Sequence, residues 1–153
     1  MIADVPASLH NVLGIAGAKQ TYKAYRDLIN SPRYGRLANA GARPQRLLWA
    51  STGTKDPDAS DVLYAKALQA PFTINTMPEE TLLDVADHGE IGELLPADGG
   101  DAEATLARFA AAGVDVDALA ARLQQEGAEA FVRSWDELMA CIAAKSDLLA
   151  VAR

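Results

Sequence analysis

The chain has 153 residues, half of them hydrophobic and 23% charged, which suits one domain with a core of its own. Its formal net charge of −7 argues against bulk nucleic-acid binding, which needs a basic face, and against docking on anionic membrane surfaces. The one cysteine, Cys141, excludes an intrachain disulfide, and no Cys/His spacing suggests zinc, so no metal is expected.

Residues 1–14 have weak periodicity, with Pro6 and Gly14, and read as an irregular start. From Ile15 to Asn30, apolar residues recur at three- and four-residue steps and predict a helix that Ser31-Pro32 stops. A short helical piece from Tyr34 to Ala40 ends at Gly41. Arg46–Ala50 predicts a strand. Asp56-Pro57-Asp58 and Ser60 then offer N-cap chemistry for a helix near Asp61–Gln69. Phe72–Thr76 predicts a second strand. Pro78, Glu79 and Glu80 open a helix running to about His88. This βαβα alternation belongs to a parallel α/β sheet.

Residues 89–100 read as a loop. Asp101 caps an alanine-rich helix to Ala112, another helix covers Val116 to about Glu126, Gly127 breaks it, and a long helix covers Ala128–Ala150. Phe131, Trp135, Leu138, Met139, Ile142 and Ala143 share one face of that helix and are expected to pack in a core. Cys141, in the run LMACIAA, is expected to be buried. The chain thus divides into leading helices (1–45), two strand–helix units (46–88) and C-terminal helices (89–153). Two short parallel strands cannot cover their own edges, so strands from another copy or another chain are expected beside them. There is no secretory leader pattern and no apolar run of membrane-spanning length, which points to a cytoplasmic protein without a membrane partner.

The first strand runs into Ser51-Thr52-Gly53-Thr54-Lys55. Hydroxyls, backbone N–H groups and a lysine at a strand tip suit an anion, although an ordinary strand-to-helix turn has the same composition. WASTGTKDP, TINTMPEETL and the flanking helical stretches together resemble the longer bacterial form of transaldolase, from about Asn11 to Lys145. The resemblance implies the C-terminal portion of a (β/α)8 barrel, with two of its parallel strands. It implies transfer of a dihydroxyacetone unit between sugar phosphates through a lysine Schiff base, without metal or organic cofactor.

The resemblance also implies a gap. The family's Schiff-base lysine and acid–base carboxylates lie on strands earlier than those represented, so no catalytic residue is assigned. Lys19, Lys23, Lys66 and Lys145 fall in helical patterns and Lys55 in a loop, none inside an apolar strand. Ser51 matches the family's phosphate-binding serine. Shorter members carry an arginine where this chain has Gly53, and Lys55 is the nearest basic candidate. Thr52 and Asn75 are candidate pocket-lining residues, although Asn75-Thr76 reads more simply as a cap for the following helix. His10 and His88 read as surface or helix-end residues. Leu47, Trp49, Phe72 and Ile74 are expected to face a barrel interior. Two functional readings follow: a transaldolase piece completed by strands from elsewhere, or a non-enzymatic remnant that self-associates into a homo-oligomer.

Overall fold

The computed structural model describes residues 5–151 and divides into two compact units, residues 1–112 and 113–153. In the first unit, a turn of 3-10 helix at Ala7–Leu9 precedes α1 (Leu13–Ile29) and α2 (Pro32–Asn39). Ser31 does more than stop α1: its hydroxyl accepts the Tyr34 N–H at 3.2 Å and caps α2, with Pro32 at the first helical position. Strand β1 (Leu47–Ala50), α3 (Leu63–Ala67), β2 (Thr73–Thr76), α4 (Glu79–His88) and α5 (Ala102–Ala111) follow.

β1 and β2 form a two-stranded parallel sheet in which Trp49 lies opposite Asn75. The two faces differ sharply. Leu47 and Trp49 point toward the helices, where Trp49 joins Tyr22 of α1, Leu68 and Leu95 in the buried core. Tyr25, Tyr64 and Ala70 pack around it. The opposite face, with Leu48 and Ile74, is open to solvent, at 47% and 40% exposure. The expectation that Leu47 and Trp49 face a barrel interior is therefore corrected. Strand alternation puts Leu48, not its neighbours, beside Ile74 on the open face. Phe72 precedes β2 in a left-handed conformation (φ 64°) and lies under the Arg26 guanidinium, 5.4 Å from the ring centroid.

α5 packs along α1 and buries Ala102, Thr105 and Phe109. Asp101 precedes α5 but makes no side-chain cap; its carboxylate instead pairs with Lys19 of α1, which holds that carboxyl below its ordinary range. The helix start expected at Asp61 is also corrected. α3 spans only Leu63–Ala67 and has no side-chain cap, because Asp56 is used in a turn, accepting the Asp58 N–H at 3.0 Å.

The second unit is one helix, α6 (Val116–Val151), which passes through Gly127 without a break. A glycine within a helix costs about 1 kcal/mol relative to alanine, too little to interrupt a run of Ala, Leu, Gln and Glu. Within this unit Phe131, Trp135, Leu138, Met139 and Ile142 are all exposed, and so is Cys141. The helical face was legible from spacing, but its burial needs a neighbour that the helix alone does not supply.

Candidate functional site at the tip of β1

Ser51 is the first residue past β1 and takes a left-handed backbone conformation, φ 56°, rare for a residue with a Cβ. This turns its exposed side chain out of the ladder. Pairing then resumes, since Thr52 N–H donates to Thr76 O at 3.3 Å. The Thr52 side chain is buried, and its hydroxyl donates to Asn75 Oδ1 at 2.6 Å. Across the same junction Thr76 Oγ1 donates to Trp49 O at 3.3 Å. These cross-strand bonds tie the C-terminal ends of β1 and β2 together.

Gly53 lies against the start of α4. A Cβ placed there would stand 3.1 Å from Pro78 Cγ and 3.2 Å from Thr81 Oγ1, so a larger residue fits only if these side chains give by a few tenths of an ångström. Thr54 Oγ1 donates to Asp61 O at 3.1 Å. Lys55 is exposed and makes no ion pair among the described residues. Its neighbour Asp56 is already engaged by Asn11 Nδ2, at 2.6 Å, and by Asp58 N–H. Those bonds hold the Asp56 carboxyl below its ordinary range, so a full negative charge sits beside Lys55.

The four singled-out residues therefore have distinct placements. Ser51 and Lys55 present donors to solvent from one loop. Thr52 is turned inward and fastens that loop to β2. Asn75 is half-buried and accepts the Thr52 hydroxyl. The reading of Asn75-Thr76 as a helix cap is corrected, because α4 is preceded by Pro78 and has no side-chain cap. The acids Glu79 and Glu80 occupy the first turn of α4, where the helix dipole favours negative charge. A water-sized cavity elsewhere, between α3 and α4, is lined by Val62, Ala65, Gln69 and Val85 and lies beside the Lys66–Glu90 pair.

One ionisable cluster was not legible in the sequence. His88, at the end of α4, places Nε2 3.0 Å from Asp61 Oδ1 and Nδ1 3.3 Å from Asp87 Oδ2. Asp87 is adjacent in the chain, but Asp61 lies on the segment before α3, so the triple contact exists only after α4 packs. Asp61 and, next, Asp87 raise the His88 pKa above its ordinary 6.5, and His88 lowers that of Asp61 below 3.8. The raised histidine stabilises the fold below pH 6.5 and loses that contribution as the pH climbs through its folded value. The lowered Asp61 contributes above pH 3.8 and loses it as the pH falls through its own. The thermal midpoint of the native chain should therefore exceed that of His88→Gln most between these two pH values. The difference should close on both sides and shrink in salt, as measured by circular dichroism melts across pH.

The sequence matches the family model described as transaldolase/fructose-6-phosphate aldolase over residues 3–142. This chain belongs to the transaldolase family. A transaldolase from Mycolicibacterium smegmatis is 44% identical over 138 residues, covering 90% of this chain and 37% of the relative. The transaldolase of Acidothermus cellulolyticus is 48% identical over 129 residues, 84% of this chain and 35% of the relative. That of Frankia alni is 44% identical over 137 residues, 89% and 37% respectively. The chain thus spans little more than a third of the length of these transaldolases and corresponds to a partial, C-terminal-like piece of the family's α/β barrel. Its parallel strands, each followed by a helix, agree with that fold.

Proposed function

We propose that this chain supplies the phosphate-docking corner of a transaldolase barrel and is catalytically incomplete by itself. The carrying observation is the loop from Ser51 to Lys55. It leaves the C-terminal end of a parallel strand, where barrel enzymes assemble their sites, and it exposes one hydroxyl and one cation. The left-handed turn at Ser51 and the Thr52–Asn75 bond hold those donors on a fixed frame. Lys55 offers a point charge and Ser51 a hydroxyl donor to the phosphate of a sugar phosphate. Asp56 beside Lys55 opposes an anion, so affinity is modest until further donors are added from outside this chain.

Schiff-base chemistry needs a lysine that loses its proton readily, through burial among apolar groups or a neighbouring cation. Lys19, Lys23 and Lys66 instead sit in ion pairs with Asp101, Asp27 and Glu90 rather than among apolar groups, and Asp27 holds the Lys23 amine above its ordinary range. Completing strands, whether from a second chain or a second copy, would pair at the open edges of β1 and β2, and closing the barrel would cover the face with Leu48 and Ile74.

The test is a titration with fructose 6-phosphate followed by backbone amide NMR, paired with borohydride reduction and intact-mass analysis. Expected are shift changes confined to residues 51–55, lost in Ser51→Ala together with Lys55→Ala, and no covalent sugar adduct. Shift changes elsewhere, or none at millimolar ligand, would remove the phosphate reading. An adduct would remove the claim of catalytic incompleteness.

A further inference from the structure

Charge is segregated along this chain. Residues 28–54 contain Arg33, Arg36, Arg43 and Arg46 and no acidic residue, although the whole chain carries −7. Residues 67–107 contain nine acidic residues and no lysine or arginine. Both blocks lie in the first unit, and each includes one helix with an exposed leucine among its charges, α2 and α4.

On α2, Arg33 and Leu37 are one turn apart and Arg36 lies beside them, all exposed, with Leu37 at 50%. Arg43 and Arg46 continue the exposed basic stretch toward β1. Among the described residues none of these four arginines joins an ion pair. On α4, Thr81 is buried, which turns the opposite side outward. Glu79, Leu83 and Asp87 form a line at four-residue steps, Glu80 lies beside it, and Leu83 is 63% exposed. Glu79 and Glu80 likewise join no ion pair among the described residues. Asp87 touches only the adjacent His88. One helix thus offers a leucine beside two arginines, the other a leucine beside three carboxylates.

We propose that the α2 face of one copy docks on the α4 face of a second copy, head to tail, with Arg33 and Arg36 against Glu79, Glu80 and Asp87 and the leucines between them. Arginine suits this role because its fork pairs two carboxylate oxygens at once. The contact is heterologous: a docked pair keeps one unused face of each sign, acidic on one copy and basic on the other, so assembly continues unless rotation closes a ring. Two single-helix faces bury less area than a permanent interface, so the association is weak and electrostatic. It is independent of sugar-phosphate binding at Ser51 and of strand pairing at the sheet.

Sedimentation velocity on the purified chain tests this. At about 20 mM salt the average mass should rise with concentration above the 16.2 kDa monomer, and at about 500 mM it should return to it. Arg33→Glu with Arg36→Glu, and separately Glu79→Lys with Glu80→Lys, should each weaken self-association about tenfold. Circular dichroism checks that both remain helical. The first variant has two acidic faces and the second two basic ones, so an equimolar mixture should associate more tightly than either alone. A monomer at every salt, self-association indifferent to salt and to both reversals, or a mixture that stays separate would each overturn the proposal. The mixture retains its force even if one variant is somewhat destabilised.

Discussion

Trp49→Ala is expected to destabilise the first unit by about 3–5 kcal/mol, the range for removing a large aromatic from a packed core. Trp49 is buried among Tyr22, Leu68 and Leu95, so its loss removes the contact joining β1 to α1 and the end of α3. A domain of this size holds only about 5–15 kcal/mol in all, so the variant should approach unfolding at physiological temperature. Trp49→Phe should behave quite differently. The indole Nε1–H is buried without a hydrogen-bond partner among the described residues, an uncompensated desolvation that phenylalanine removes. The smaller ring leaves some void, and the two effects oppose each other, so the net cost should stay below about 1.5 kcal/mol. Urea titrations followed by far-ultraviolet circular dichroism give both numbers. A small loss in the alanine variant would mean that Trp49 is not the centre of the core. A phenylalanine variant as damaged as the alanine one would mean that the indole N–H has a partner.

What the sequence made legible follows from how local each feature is. Helices α1 and α4 could be read from three- and four-residue periodicity and from Pro78 with its two following acids, all within one or two turns. The parallel strands could be read from alternation with helices, but their inward faces could not. Leu47-Leu48-Trp49-Ala50 is apolar throughout, and only packing against Tyr22 decides that Trp49 turns in and Leu48 out. Gly127 was misleading because a break depends on what flanks a glycine, and both flanks favour helix. At the candidate site, the residue types of Ser51 and Lys55 were visible in the motif. The inward turn of Thr52 and its bond to Asn75 were not, since they join residues 23 apart along the chain. The same holds for the His88–Asp61 contact, which spans 27 residues.

The attachment of α5 gives the second large effect, and one of a different kind. Phe109 is 3% exposed and, with Ala102 and Thr105, forms the buried side of α5 against α1. The polar links along the same seam, Lys19 to Asp101 and Arg108 Nη2 to Ser8 Oγ at 3.0 Å, lie at the surface and contribute little under solvent screening. Phe109→Ala should therefore cost about 3–5 kcal/mol, but mainly to the local unit. α5 does not pair with the sheet, and the Trp49 core draws on α1, β1, Leu68 and Leu95 rather than on α5. Loss of Phe109 should let α5 open while β1 and β2 stay paired. Native-state hydrogen exchange should show amides of residues 102–111 exchanging two to three orders of magnitude faster, with those of the strands changed far less. Lys19→Ala should change neither set appreciably. Equal acceleration of α5 and the strands would instead mean that α1 transmits the loss, so that the first unit unfolds as one body. The loop from Ser51 to Lys55 would then depend for its position on a side chain of α5. Selective opening of α5 would leave the Thr52–Asn75 frame intact and show that the loop's support does not run through α5.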